Sequence, residues 1–293
     1  MQGTVDGFNY GLVTPLVAYL MACLGGALGL RCTTRSMRVT RSWRPGWLAL
    51  GSAAIGSGIW TMHFIAMMGF TIDRTPIRYD WLMTFASLAV AIVMVGIGIF
   101  IVGYRGARGT ALFTGGTITG LGIASMHYLG MAGMRLDGQL TYNTFTVAVS
   151  VAIAMAAATA ALWAAGQVRG FLWSVGASLV MGLAVTGMHY TGMAALDVHV
   201  HGTTDPASGG SPAELLAPML IGPLAFLLLA GVVVMFDPLM VAGQPADVPP
   251  DRKPGVPAHP EPPHGTRHPA AHHTPHHTRR TLVHRRSRTP QNR

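Results

Sequence analysis

Hydrophobic positions in this chain neither alternate nor recur with a helical period; they run on without interruption. Seven uncharged, mostly apolar stretches follow one another: Leu12–Leu30, Trp47–Phe70, Leu82–Tyr104, Thr110–Met134, Phe145–Gly166, Phe171–Leu196 and Leu215–Phe236. A helix crosses a bilayer with roughly 20 apolar residues, so each stretch predicts a membrane span. Seven such spans exceed what the core of an ordinary soluble domain can bury. The expected fold class is an all-α polytopic membrane protein with seven transmembrane helices.

Polar residues mark the connections. Arg31, Arg35, Arg38, Arg41 and Arg44 follow the first span, Arg105 and Arg108 the third, and Arg169 the fifth. The opposite connections hold Arg74, Arg78 and Arg135, offset by Asp73, Asp80 and Asp137. Cytoplasmic loops collect positive charge, which predicts an outside amino terminus and a cytoplasmic carboxyl terminus. No Lys or Arg precedes Arg31, so the first span lacks the basic leader of a cleaved signal peptide. Two cysteines, Cys23 and Cys32, provide no disulfide framework.

Composition separates two regions. Residues 1–238 hold the spans, whereas 239–293 are rich in Pro, His and Arg and almost free of large apolar residues. That tail supplies much of the net charge of +9, and its composition predicts disorder because it cannot bury enough surface to offset chain entropy. Its eight histidines could bind metal loosely and its arginines anionic lipid. No folded nucleic-acid recognition module accompanies the charge, so no specific nucleic-acid partner is expected.

One pattern recurs inside the spans. The segments Met62-His63-Phe64-Ile65-Ala66-Met67, Met126-His127-Tyr128-Leu129-Gly130-Met131 and Met188-His189-Tyr190-Thr191-Gly192-Met193 fall on the second, fourth and sixth spans. The three following helix pairs read as copies of one unit, all oriented alike, with the first span in front. An intramembrane imidazole is expensive, and three in register point to function. His63, His127 and His189 share a helical face with Met67, Met131 and Met193, four residues on. Met62, Met126 and Met188 project toward neighbouring helices. Together these nine residues are the candidate metal ligands, near the outer face. Imidazole with soft thioether favours copper. Haem is the alternative cofactor, since His and Met both serve as axial ligands. Small residues at −5, +3 and +6 from each His would let the motif helices approach closely. Trp60 and Trp81 are expected at the outer membrane interface, and His199 and His201 in a solvated loop.

The repeated pattern resembles the MHYT family of bacterial membrane sensor domains, with the third copy, Met188-His189-Tyr190-Thr191, spelling the motif in full. The first copy has Phe64 and Ile65, and the second Leu129, where the family has Tyr or Thr. The resemblance covers roughly Met1 to Pro238. It implies copper at the Met-His motifs, detection of oxygen, carbon monoxide or nitric oxide, and residence in the bacterial cytoplasmic membrane. Family members often carry cytoplasmic cyclic-di-GMP or kinase domains. This chain reads as a stand-alone member that needs a separate cytoplasmic signalling partner.

Two other classes remain open on sequence. A copper transporter or channel would usually show intramembrane acids, and the seven spans contain no Asp, Glu, Lys or Arg. A haem or copper redox protein is the other. No nucleophile, carboxylate pair or dinucleotide loop appears in the spans, so no enzyme is expected beyond redox turnover by a bound metal.

Overall fold

The computed structural model describes residues 5–6, 10–72, 77–136, 138–167, 171–200 and 212–236, all within one compact unit, Met1–Gln244. The expected tail, 239–293, lies outside the described residues, as does His201. Seven helices follow in order: α1 (Val13–Ser36), α2 (Arg44–Met68), α3 (Trp81–Arg105), α4 (Gly109–Ala132), α5 (Thr144–Gln167), α6 (Phe171–Met193) and α7 (Pro212–Met235). The protein is an all-α polytopic membrane protein. Six of these helices are long and apolar enough to cross a membrane. The seventh, α4, falls below that measure because its 24 residues include six glycines and four threonines, chosen for close packing rather than for lipid.

Helix ends and apolar runs do not coincide. The first apolar run stops at Leu30, yet α1 continues to Ser36, with the hydroxyls of Thr33 and Thr34 donating to the carbonyls of Gly29 and Leu30. An apolar run measures contact with lipid or core, whereas a helix ends where its backbone does. Asp80 caps α3 by accepting from the N–H groups of Leu82 and Met83, and Asn143 accepts from that of Thr146 at the start of α5. Gly106, at φ 87°, ends α3 in a backbone region that strongly favours glycine. Pro15 sits in the first turn of α1, where its missing N–H costs nothing. Pro218 and Pro223 lie inside α7, which holds none of the motifs.

Helices α1 to α6 form a closed ring in which each packs against the next and α6 returns to α1. The leading helix thus completes the ring, while α7 packs outside it on α2 and α1. Motif helices α2, α4 and α6 alternate with α1, α3 and α5. Bare backbone meets bare backbone where α1 crosses α2: a Cβ on Gly25 would stand 2.7 Å from the Cα of Gly58.

Short strands, not anticipated from the sequence, tie the ring together at one end. β1 (Val5–Asp6) pairs with β2 (Thr71–Ile72), β3 (Arg78–Tyr79) with β4 (Met134–Arg135), and β5 (Gly138–Tyr142) with β6 (Leu196–Val200), all antiparallel. Each pair joins the strand leaving a motif helix to the strand entering α1, α3 or α5. The amide N–H of Asp80 donates to the carbonyl of Gly133, and that of Asn143 to Ala195, at 2.8 Å each. His199 is exposed within β6, opposite Gln139.

Two tryptophans part company. Trp81 is exposed at the start of α3, as expected of an interface residue. Trp60 is a correction: it is fully buried, and its indole N–H donates to the Thr84 carbonyl and the Ser87 hydroxyl at 3.1 and 3.0 Å. The apolar run around it carried no sign of those partners, which come from α3.

Candidate metal centre

Each motif helix ends four or five residues after its histidine and its strand begins seven or eight residues after it, so the three imidazoles arrive at one level, more than one turn below the strand-tied end. The ring of helices then aims them at a single point. His63, His127 and His189 are each 1% exposed. Their Nδ1 atoms form a nearly equilateral triangle, with sides of 3.0, 3.2 and 3.3 Å. The ring planes stand nearly perpendicular to one another, at 77° to 88°.

Protons alone cannot make hydrogen bonds of all three sides of this triangle. A neutral imidazole nitrogen either carries a proton and donates, or is bare and accepts. One proton shared among the three leaves two lone pairs facing each other, and two protons leave two N–H groups facing each other. A cation at the centre would accept all three lone pairs at once. The centre lies about 1.8 Å from each nitrogen, and metal–imidazole bonds run near 2.0 Å, so a small outward breathing of the rings would fit a transition-metal ion. Among the described residues this is the cluster of His, Cys, Asp or Glu side chains close enough to share a metal.

The rings are held by contact rather than by a web of hydrogen bonds. Each imidazole meets the aromatic side chain that follows it edge to face: His63 with Phe64, His127 with Tyr128, His189 with Tyr190, at centroid distances of 4.6, 4.8 and 5.0 Å. Phe64 packs in turn on Trp60 and Tyr79, and the Tyr128 hydroxyl bonds to that of Ser150 at 2.6 Å. The other ring nitrogen of His63 presses on Gly130, where a Cβ would stand 2.7 Å from it. His127 presses on Gly192 in the same way, at 2.5 Å. The Nε2 atoms of His63 and His127 are buried without a hydrogen-bond partner. Two of the +3 small residues of the motif, Gly130 and Gly192, therefore seat imidazoles themselves. The −5 residues do the helix packing, Gly58 against α1 and Gly122 against Met94 of α3.

The predicted thioethers divide little. Met62, Met67, Met126, Met131 and Met188 are buried in the main apolar cluster, and Met193 is partly buried against it. The structure brings the three histidines together at one point and sets the six methionines in the packing around the motif helices.

Toward the arginine-bearing end, the ring encloses a small cavity of about 30 Å3. All six ring helices line it, so it lies on the bundle axis. Its walls are apolar apart from Thr33, whose hydroxyl donates to Gly29, and Thr119.

A family model described as a bacterial signalling protein N-terminal repeat, MHYT, matches three times, at residues 56–115, 120–178 and 182–242. The chain belongs to the MHYT family. The three matches correspond to the units of α2 with α3, α4 with α5, and α6 with α7. MucR of Pseudomonas aeruginosa, a bifunctional diguanylate cyclase and cyclic di-GMP phosphodiesterase, is 36% identical over 80% of this chain and 34% of its own length. The cyclic di-GMP phosphodiesterase NbdA of the same organism is 35% identical over 74% of this chain and 28% of its own. The signalling protein YkoW of Bacillus subtilis is 29% identical over 71% of this chain and 26% of its own. This MHYT chain thus spans about a third or less of the relatives it matches. No solved structure matches it. Its spans and its family mark it as a bacterial membrane protein of a sensory signalling type.

Proposed function

We propose that this MHYT protein is a membrane-embedded sensory module that holds one copper ion on His63, His127 and His189. The observation that carries the reading is the triangle of three Nδ1 atoms, whose three sides no arrangement of protons can turn into hydrogen bonds at once. Copper is favoured over zinc because the surroundings are uncharged and rich in methionine. The penalty for taking an ion out of water rises steeply with its charge, which favours monovalent copper in so dry a site. Haem fits poorly: the imidazoles already touch, and the adjoining cavity is about 30 Å3, far too small for a macrocycle.

Bound copper would supply a redox couple and an open coordination position for a diatomic gas. The chain's own residues position the ion and keep water out. A signalling partner on the cytoplasmic side would read the state of the bundle, with the arginine-bearing end facing that side as the charge asymmetry indicates. A sensing role is favoured over transport because an ion leaving the triad inward would enter an apolar cavity that offers it almost no ligands. We read the module as a binding protein and not an enzyme, since the site presents no acid–base or nucleophilic pair.

The test is copper per chain in purified full-length protein, compared with the variant carrying His63→Ala, His127→Ala and His189→Ala. Subtraction removes any contribution from the tail histidines. A difference of one copper per chain supports the reading; equal copper in both proteins overturns it.

A further inference from the structure

The cavity on the bundle axis has a register that repeats the motif. Ile59, Ile123 and Val185 line it, each four residues before a triad histidine, and Ile55, Thr119 and Met181 line it four residues earlier still. On a helix those offsets are one and two turns along the same face. The three motif helices therefore present, in layers, imidazoles and then a hollow. The hollow exists because α5 contributes alanines there, Ala157, Ala158, Ala161 and Ala165, where larger side chains would close it.

Its chemistry selects its occupant. A cavity holds a water when it offers about 10–15 Å3 and two or more polar partners; apolar cavities stay dry and take xenon or benzene. This one offers about 30 Å3. Its one unpartnered polar atom is the Thr119 hydroxyl, too little for water or for any charged species. We propose that this axial cavity is a docking chamber for a small, uncharged, apolar molecule of the size of a diatomic gas or a xenon atom, delivered to the inner side of the histidine layer. Its role in sensing rests on the metal reading above, whereas its capacity to bind does not. The surrounding bilayer concentrates apolar gases, so a chamber among the helices draws on a richer reservoir than water.

Xenon separates the two readings because it needs no metal. The full chain, in nanodiscs, is titrated with xenon and followed by the 129Xe chemical shift. Ala158→Leu fills the chamber, while Ala156→Leu adds the same bulk at an exposed position of the same helix. The expected result is a saturable shift in the wild type, in Ala156→Leu and in the triple histidine variant, and its loss in Ala158→Leu. Ile123→Ala, which enlarges the chamber, should strengthen xenon binding several-fold and keeps the test valid if Ala158→Leu does not fold. Equal shifts in the wild type and Ala158→Leu, or no gain in Ile123→Ala, overturn the chamber. In copper-loaded protein, Ala158→Leu should slow carbon monoxide association several-fold relative to Ala156→Leu. Equal association rates there overturn the link between chamber and triad.

Discussion

The Nε2 of His63 rests against Gly130, so close that a Cβ on that glycine would stand 2.7 Å from the nitrogen. The contact joins α2 to α4, and His127 makes the corresponding one with Gly192 of α6. The orientation of two of the three imidazoles thus depends on hydrogen-sized side chains on the next motif helix.

Gly130→Ala and Gly192→Ala should therefore turn a ring away from the shared centre. Overpacking of this kind costs about 1–3 kcal/mol, which thermal unfolding in detergent would register. Copper occupancy should fall with it. Gly46→Ala, at a position where a Cβ meets nothing within 4 Å, should leave both unchanged.

The methionines can be tested apart from the fold. Exchanging Met67, Met131 and Met193 together for Leu conserves volume and should cost little stability. If a thioether caps the copper from the strand side, affinity for monovalent copper should fall about tenfold, near 1.4 kcal/mol. Competition with a copper(I) chelator would measure it. Unchanged affinity would assign these residues to packing.

Trp60→Phe keeps the aromatic contact with Phe64 and removes the donor shared by Thr84 and Ser87. Hydrogen bonds between membrane helices contribute about 0.6 kcal/mol on average, up to about 1.7, so a loss in that range is expected in unfolding experiments. A larger loss would mean that the indole also fixes Phe64 and, through it, His63.

Asp80 ties α3 to β4 at the strand end. Its carboxyl is held below the usual range, first by the Met83 backbone N–H and then by the Arg135 guanidinium 3.2 Å away. A depressed folded value means the contribution is present above the ordinary carboxylate pKa of about 3.9 and is lost as pH falls through the folded value. Asp80→Asn should flatten the acid limb of a stability-versus-pH profile while keeping an oxygen to cap the helix.

The sequence by itself determined the span count, the identity of the motif helices and the three histidines, because apolar runs and a repeated motif are local properties of the chain. It also carried the small residues at −5, +3 and +6, though not their division of labour. Only the tertiary structure decided that α1 closes the ring while α7 stands outside it, since both helices are apolar on every face and no local signal ranks their partners. The burial of Trp60 is likewise a tertiary matter: its hydrogen-bond partners lie 24 and 27 residues away, on another helix. Convergence of the three Nδ1 atoms and the hollow beside them are products of six helices meeting around one axis. Periodicity along a chain fixes which residues share a face; the packing of neighbouring helices fixes what that face meets.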